Sequence, residues 1–420
     1  MRSYLNLVLV IVTLLGLSAC GGPAQSPWRT PSGGQIDRLP DFNEEQTVPA
    51  EETPMETTQS GRASVTPYYQ PAPKPVKDLP PVKVALLLPL TGPQADLGQA
   101  MSNAAQMAIF DVGATNVTLI QRDTTTGAAK AAEEALNQGA QIILGPLFAQ
   151  DVKAVSPIAR RRNVPVVAFS TDWTAANENT YIMGFLPFGQ VTRVVDFAVK
   201  RGAKNFAGII PETPYGMAVN GTLKNELQRL SVPSYKSYVF SRDQQLMQAV
   251  QQIAKAQQPG SLEVVDAIMV PIGGSQINQI SALMRQNDVG MRQIRLLGTG
   301  LWDDSPQAAS LLPGGWFAAP DPNLRTTFNQ KYLETYGQNP PRLATLAYDA
   351  SALAAALAIK GLKENGTPAF DRVSITNPNG FAGLDGIFRF RPDNLAERGL
   401  AILELRPNGP VIVDPAPTRF

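Results

Sequence analysis

Along residues 81–420 the chain alternates between short apolar runs and longer segments whose apolar residues recur every three or four positions. The first run, Val82–Leu88, is apolar except for Lys83 and is followed by Pro89. Such a run is typical of a strand buried on both faces of a parallel sheet. The same pattern predicts further strands at Val117–Gln121, Gln141–Leu144, Val164–Ala168, Phe206–Ile210, Tyr235–Phe240, Ala267–Val270 and Ile294–Leu297.

Helical periodicity fills the segments between these strands. It predicts helices at Leu97–Asp111, Ala128–Gln138, Asp151–Arg162, Gly216–Leu230, Gln244–Ala256 and Gln276–Asn287. Strands and helices therefore follow one another in βαβα order, which predicts an α/β fold with right-handed crossovers. Because this many strands exceed one comfortable sheet, we expect two lobes.

The C-terminal part carries one more helix and a pair of strand patterns. Apolar residues with helical spacing in an Ala-rich segment predict a helix buried against a sheet; they are Leu343, Leu346, Ala350, Leu353 and Leu357. Tyr348 and Asp349 lie on the other side of this helix and have no assigned role. Gly383–Phe390 and Gly399–Leu405 predict a pair of β-hairpin strands.

The N terminus has the pattern of a secretion signal. Arg2 precedes the apolar run Leu5–Leu17, which is shorter than the ~20 residues of a membrane span and so indicates a signal peptide. The following Ser18-Ala19-Cys20 resembles a bacterial lipobox, in which Cys20 is lipidated and becomes the mature N terminus. An ordinary cleavage site beside a chance cysteine is the alternative. Gly21, where an Asp would signal inner-membrane retention, favours the outer membrane of a Gram-negative bacterium.

Residues 21–80 differ from the rest of the chain. They contain eleven prolines and five glycines and show no apolar periodicity. Such a segment buries too little surface to offset its ordering entropy. We therefore expect a disordered, Pro-rich tether with a root-mean-square reach of about 40 Å.

Composition excludes several classes of protein. Lys and Arg number 36 against 35 Asp and Glu, so no basic surface for nucleic acid is expected. With no histidine and one cysteine, the chain cannot form an internal disulfide, a histidine metal site, a Ser-His-Asp triad or a Cys-His pair. A carboxylate pair such as Glu212 and Asp303 remains open by sequence. We expect no enzymatic activity, no cofactor and no metal.

Several motifs occur in an order typical of one family. The segment Val84–Pro93, followed by Leu97-Gly98 and an Ala-rich helix, resembles the opening of type I periplasmic binding proteins, most closely the leucine/isoleucine/valine-binding branch. Later motifs extend the resemblance over about 81–410; they are Leu144-Gly145-Pro146, Val164-Pro165-Val166, Ser170-Thr171, Pro214-Tyr215-Gly216, Ala347–Ala350 and Gly383–Phe390. The resemblance implies a bilobal fold of two doubly wound parallel sheets joined by a three-strand hinge.

A narrower resemblance concerns lipid-anchored penicillin-binding protein activators, which use this fold to stimulate a peptidoglycan synthase. It is carried by Phe148, Phe169–Asp172, Gly298–Asp304 and Gly315–Pro320. By resemblance, lobe one takes residues 81–187 and 320–374, and lobe two takes 188–319 and 375–420.

The family binds ligands in the cleft between its lobes, at the carboxyl ends of strands. By resemblance the cleft candidates are Thr91, Gly145, Pro146, Phe148, Ser170, Thr171, Asp172, Tyr215 and Asp303. Amino-acid-binding relatives hold the carboxylate with hydroxyls and backbone N–H groups, and the ammonium with an acid.

We call this set of ligand-binding groups the amino-acid clamp, and this sequence contains only part of it. Ser170 and Tyr215 match hydroxyl-bearing or aromatic positions, but Phe148 replaces a usual serine. The ammonium-binding acid aligns closest to Gly300, with Asp303 and Asp304 nearby.

Structural roles are open for the same residues. Ser170 and Thr171 would cap a helix, Tyr215 would pack the hinge, and Asp303-Asp304 would begin a loop. The tryptophans are either core residues or anchors of a protein interface; they are Trp173, Trp302 and Trp316.

These observations favour a lipid-anchored periplasmic protein without catalytic activity. The preferred function is regulation of peptidoglycan synthesis through contact with a penicillin-binding protein. The alternative is a substrate-binding protein that captures an amino-acid-like ligand for an ABC permease.

Overall fold

The computed structural model describes residues 79–420 except 259–260, 262–263, 291–293, 304 and 306, together with the backbone of Thr66–Pro67. The predicted signal peptide, the lipidation site Cys20, most of the predicted tether and Asp304 lie outside the described residues.

The first lobe is built on a five-stranded parallel sheet in the order β3-β2-β4-β5-β6. Its strands are β2 Val82–Leu88, β3 Val117–Asp123, β4 Ile142–Leu144, β5 Val166–Ala168 and β6 Thr180–Ile182. The crossover helices are α1 Ala95–Val112, α2 Ala128–Asn137 and α3 Ala149–Arg161. Every residue of β2 except Lys83 is buried, as expected for a strand covered on both faces.

The second lobe is built on a seven-stranded sheet in the order β16-β15-β11-β10-β9-β7-β8. Its strands are β7 Asn205–Pro211, β8 Ser234–Phe240, β9 Ala267–Met269, β10 Arg295–Gly298, β11 Trp316–Ala319, β15 Ala401–Arg406 and β16 Gly409–Asp414. Its helices are α4 Pro187–Lys200, α5 Pro214–Arg229, α6 Asp243–Ala256, α7 Gln276–Gln286 and α8 Ala308–Leu311. Strands β15 and β16 are antiparallel, so this sheet is parallel only from β8 to β11.

A smaller sheet in the order β1-β12-β13-β14 lies beside the first lobe. Its strands are β1 Thr66–Pro67, β12 Phe381–Gly383, β13 Gly386–Phe390 and β14 Ala396–Arg398. The remaining helices are α9 Thr326–Tyr336, α10 Ala344–Asn365 and α11 Arg372–Ile375.

The α/β class and the bilobal architecture predicted from sequence are confirmed, and most predicted elements lie within a few residues of their positions. Helices α4 and α9 and strands β6 and β11 were not predicted. The prediction that Gly383–Phe390 pairs with Gly399–Leu405 is wrong. Strand β13 pairs with β12 and β14, whereas β15 pairs with β11 of the other sheet, because the chain crosses between lobes at 399–400.

The Ala-rich helix α10 is the central helix of the first lobe, as its pattern predicted. Leu346, Leu353 and Leu357 are buried in one cluster with residues of α1 and β2. Alanines along α10 let α1 approach closely. The helix is long and apolar enough to span a membrane, but 83% of its most apolar window is buried inside the protein.

The chain passes between the two large sheets at 183–186, 320–325 and 399–400 within the described residues. The division into two lobes remains our proposal, but the last boundary between the lobes differs from the predicted one. Ile375, Phe381 and Phe388 are buried in the core cluster of the first lobe, so residues 375–398 pack there and the return to lobe two begins near 399.

We expect Gly98→Ala in α1 to destabilise the protein by about 1–3 kcal/mol, because overpacked atoms force the backbone to shift. A Cβ at Gly98 would lie 1.9 Å from the carbonyl oxygen of Pro89. The matched control is Gly221→Ala in α5, where a Cβ meets nothing within 4 Å, and there we expect stabilisation of about 0.5–1 kcal/mol. Urea unfolding of both variants measures the change in the free energy of unfolding. Equal effects of the two substitutions would contradict the close contact between Gly98 and Pro89.

Candidate functional site

A cavity of about 230 Å3 lies between the lobes, at the carboxyl ends of strands from both large sheets. Thr171, Phe185 and Arg342 line it from the first lobe or its crossover, and Tyr215, Gly300 and Asp303 line it from the second lobe. This is the place at which ligands bind in open α/β sheets.

The acid of this cleft, Asp303, is paired with two guanidinium groups from the opposite lobe. Its Oδ2 accepts from Nη1 and Nη2 of Arg325, both at 3.2 Å, and from Nε of Arg342 at 3.3 Å. The Asp303 side chain is only 9% exposed. Because the pairs are shielded from solvent, their attraction is screened less than that of surface ion pairs, and they tie the loop after β10 to the first lobe.

Arg342 continues the network into the first lobe. Its Nη2 lies 3.0 Å from Oδ1 of the buried Asp385, and its Nη1 donates to Oγ1 of Thr345 at 2.9 Å. Thr345 Oγ1 in turn donates to Asp385 Oδ2 at 2.7 Å. The guanidinium lies over the ring of Phe185, 4.2 Å from its centroid. Arg342 therefore contacts acids of both lobes and the Phe185 ring, and it also lines the cavity.

A second buried acid, Asp349 of α10, lies behind this network. Its Oδ1 accepts from the backbone N–H of Leu384 at 2.8 Å, and its Oδ2 lies 4.0 Å from Nη1 of Arg398. A Cβ at Gly383 would lie 2.5 Å from the same Oδ2, so only glycine fits there. Burial, followed by the nearby Asp385 carboxylate, raises the pKa of Asp349 to about 7.

Tyr215 stands at the first turn of α5, which begins where Pro214 fixes the helical φ and Thr213 Oγ1 accepts from the N–H of Gly216 at 3.1 Å. The Tyr215 hydroxyl donates to Oγ1 of the buried Thr299 at 2.9 Å. Burial raises the pKa of Tyr215 to about 12, so the hydroxyl stays neutral. The hydroxyl proton of Tyr215 is therefore used in a hydrogen bond within the second lobe.

The loop after β5 uses most of its polar groups internally. Ser170 Oγ accepts from the N–H of Asp172 at 3.0 Å. Asp172 accepts from Thr174 N at 3.0 Å and pairs with Lys153 at 2.8 Å. The hydrogen bond from Lys153, then that from Thr174, lowers the pKa of Asp172. Asp172 is thus the cap of a short 3-10 turn, and only Thr171 of this loop lines the cavity.

The loop after β4 is fixed by its backbone. Gly145 has φ +90° and precedes a cis peptide bond to Pro146, and a Cβ on Gly145 would lie 2.2 Å from the Leu87 oxygen. The Pro146 carbonyl accepts from the N–H of Phe169 at 2.9 Å. Phe148 precedes α3 and is 42% exposed.

Thr91 belongs to the loop after β2, and its hydroxyl donates to Asp123 Oδ2 at 2.6 Å. Burial would raise the pKa of Asp123, but hydrogen bonds from Thr91, Thr125 and Leu90 outweigh it and lower the pKa to about 2. The pair links the ends of β2 and β3.

Of the nine predicted cleft residues, the structure brings Thr171, Tyr215 and Asp303 to the cavity. Sequence reasoning missed Arg325, Arg342 and Phe185, because nothing local in the sequence pairs these residues with Asp303. The core alternative is confirmed for Trp302, 1% exposed, and Trp316, 5% exposed. Within the part of the chain that the structure describes, no group of three or more Cys, Asp or Glu side chains is arranged to hold a metal ion.

Comparison with known proteins identifies the family. A family model for periplasmic binding proteins matches residues 81–410, so the chain belongs to the periplasmic binding protein family. This membership implies the periplasm. Among curated proteins, an uncharacterized protein of Rickettsia prowazekii is 21% identical over 181 residues, which are 42% of this chain. The match spans about half, 48%, of that relative.

Solved structures share the fold. A protein of Rhodospirillum rubrum described as a branched-chain amino acid ABC transporter has a TM-score of 0.68 at 17% identity, covering 79% of this chain and 100% of that chain. The C-domain of LpoA (YraM) from Haemophilus influenzae, a regulator of PBP1A, has a TM-score of 0.60 at 15% identity, covering 79% and 99%. At 17% and 15% identity, these similarities show a shared fold.

We expect Asp349→Asn to flatten the pH dependence of stability. Because the folded protein holds the Asp349 proton more tightly than the unfolded chain, this group stabilises the fold at low pH, and that stabilisation is lost as pH rises from about 4 to about 7. The slope it contributes is at most about 1.4 kcal/mol per pH unit.

The measurement is urea unfolding of wild type and Asp349→Asn from pH 4 to pH 8, with Glu133→Gln on the exposed face of α2 as control. The control should follow the wild type. A variant with the same pH profile as the wild type would show that Asp349 does not hold the proton.

Proposed function

We propose that this protein is a non-catalytic periplasmic lipoprotein that regulates peptidoglycan synthesis by binding a penicillin-binding protein. The observation that carries this proposal is the pairing of Asp303 with Arg325 and Arg342 across the cleft. By resemblance the ammonium-binding acid of the relatives aligns closest to Gly300, and the nearby Asp303 is the acid that lines this cavity; its partners are the protein's own guanidinium groups.

The cost of opening that pairing argues against capture of a free amino acid. A ligand ammonium would have to replace two guanidinium groups on one mostly buried carboxylate. Removing one partner of a buried ion pair leaves an uncompensated charge, which costs about 3–5 kcal/mol. The Tyr215 hydroxyl already donates to Thr299, and Ser170, whose Oγ accepts from the N–H of Asp172, does not line the cavity. These contacts argue against amino-acid capture in the cleft, so the proposal assigns partner binding to the outer surface of the lobes.

The fold similarity to the LpoA C-domain, a regulator of PBP1A, supports a regulatory role for such a domain. The predicted lipobox and tether also suit this role. A lipid anchor in the outer membrane and a chain reaching about 40 Å would let the folded part approach a synthase anchored in the inner membrane.

A substrate-binding protein of an ABC transporter is the second candidate. The cavity of about 230 Å3 between the lobes favours it, as does the fold similarity to the R. rubrum transporter protein. In that case Arg342, which lines the cavity, would bind a ligand carboxylate, and the lobes would close on the ligand by hinge motion.

We expect the full chain to increase the rate of glycan-strand synthesis by a purified bifunctional penicillin-binding protein from the same bacterium by several-fold. The same preparation should show no saturable thermal shift with amino acids or soluble muropeptides. A bound ligand at 100 times its Kd would add about 2.7 kcal/mol, which is readily visible. Thr171→Phe serves as the control variant, since a ring on this exposed cavity-lining residue should obstruct a ligand without breaking the ion pairs of Asp303, and it should spare synthase stimulation.

Two results would contradict the regulatory proposal. One is an unchanged synthesis rate with every penicillin-binding protein of the organism. The other is a saturable shift with one amino acid that disappears in Thr171→Phe, which would establish the transport candidate instead.

Lipidation at Cys20 is tested separately. Cys20→Ser removes the thiol needed for thioether attachment of a diacylglycerol, so we expect the protein to move from the outer-membrane fraction to the soluble periplasm. Ser18→Thr is the control in the same segment. A Cys20→Ser chain that remains in the outer-membrane fraction would contradict the predicted anchor.

A further inference from the structure

A polar cavity of about 490 Å3 lies at the opposite end of the first-lobe sheet from the cleft. It opens at the amino ends of β5 and β6, beside the C terminus of α3 and the start of α11. Its volume falls within the roughly 300–1,000 Å3 of small-ligand pockets. The charged and hydroxyl groups that line it are those of Arg160, Glu178, Tyr181, Asp371 and Arg372. Neither function considered above uses this cavity.

Tyr181 is the buried polar residue of the cavity. It is only 1% exposed, and its ring packs edge to face against Phe390 with the centroids 5.3 Å apart. Burial raises the pKa of the Tyr181 hydroxyl, which also senses the charges of Arg372 and Asp371. Within the described part of the chain, no residue hydrogen-bonds to this hydroxyl. Because buried hydroxyls are as a rule hydrogen-bonded, we expect its partner to be a molecule that enters the cavity.

Two guanidinium groups line the cavity from different elements. Arg372 is held by backbone carbonyls, since its Nη2 donates to the Pro392 oxygen at 2.7 Å and its Nη1 to the Glu178 oxygen at 3.4 Å. Arg160 is exposed near the end of α3 and forms no ion pair with the described residues. Guanidinium groups bind phosphate and carboxylate oxygens through paired N–H groups. The two arginines therefore favour an anionic ligand.

Two carboxylates also line the cavity, and one of them serves the protein itself. Asp371 accepts from the N–H of Ser374 at 3.0 Å and from its hydroxyl at 2.7 Å, and so caps α11. The other acid, Glu178, is exposed. Among the described lining residues this leaves two guanidinium groups and the Tyr181 hydroxyl against one carboxylate, a balance that attracts an anion.

We propose that this cavity binds the phosphate group of a phosphorylated ligand, with Arg160, Tyr181 and Arg372 donating to its oxygens. These donors belong to α3, β6 and α11, so they reach the cavity from three different elements. A phosphate monoester offers three strong acceptor oxygens, whereas a carboxylate offers two. The cavity is larger than one phosphate group and leaves room for the rest of the molecule. A soluble phosphate ester and a phospholipid headgroup share this chemistry.

Calorimetric titration of the full chain tests the proposal, with inorganic phosphate and glucose 1-phosphate as soluble probes. Tyr181→Phe removes only the hydroxyl and should weaken binding about tenfold, because a hydrogen bond to a charged group is lost. Arg160→Met should weaken binding by at least as much. Neither side chain hydrogen-bonds to the described residues, so both variants should fold as the wild type does, which urea unfolding checks.

Arg161→Met is the matched control. Arg161 is exposed beside Arg160 at the same helix end but does not line the cavity, so the affinity should stay close to that of the wild type. Glu178→Gln should tighten phosphate binding several-fold, because it removes a like charge from the cavity.

Vesicles that contain phosphatidic acid distinguish the two sources of the phosphate group. Vesicle binding that is lost in Tyr181→Phe, without binding of glucose 1-phosphate, would assign the cavity to a lipid headgroup. Binding of glucose 1-phosphate would assign it to a soluble ester.

Four outcomes would overturn the proposal. The first is no saturable binding of phosphate, glucose 1-phosphate or the vesicles. The second is wild-type affinity in Tyr181→Phe. The third is an equal loss in Arg161→Met and Arg160→Met, which would indicate a diffuse positive surface. The fourth is weaker binding in Glu178→Gln, which would indicate a ligand with a positive charge. None of these results depends on the partner proposed above.

Discussion

The ion pairs between Asp303 and the guanidinium groups of Arg325 and Arg342 are the contact on which the cleft depends. They join the loop after β10 to elements of the first lobe. Since Asp303 is only 9% exposed, neither it nor its partners can be left uncompensated without a large cost. Arg342 also lies over the Phe185 ring and pairs with Asp385, so one side chain joins the cleft to the core of the first lobe.

The same ion pairs distinguish this cleft from a cleft of the same fold whose acid is free to bind an amino acid. A clamp needs an acid and hydroxyls that are free to meet a ligand. Here Asp303 is paired with guanidinium groups and the Tyr215 hydroxyl donates to Thr299, while Ser170 does not line the cavity. A fold does not determine its function, and the function must be argued from the site. In the function we propose, the outer surfaces of the lobes bind the partner, and the charges of the cleft are paired within the protein.

Behind the cleft, buried charge is concentrated in the contacts between α10 and the small sheet. Asp349 and Asp385 are both fully buried, and Arg342 and Arg398 lie beside them. Because the pKa of Asp349 is raised, this carboxyl group can bind a proton. Its protonation lowers the electrostatic cost of burying two acids so close together. Gly383 provides the space for its carboxylate. The segment 375–398 is therefore tied to the first lobe by charge as well as by the burial of Phe388.

The sequence by itself determined the α/β class, most strands and helices, the buried face of α10 and the positions of the loops at the strand ends, because these depend on local periodicity and on turn residues. It also pointed to Thr171, Tyr215 and Asp303, which lie at the cavity. Only the tertiary structure decided that Arg325 and Arg342 pair with Asp303, that 375–398 packs on the first lobe, and that Ser170 and Asp172 serve their own loop. These contacts join residues far apart in the chain, and no local pattern encodes which charge meets which.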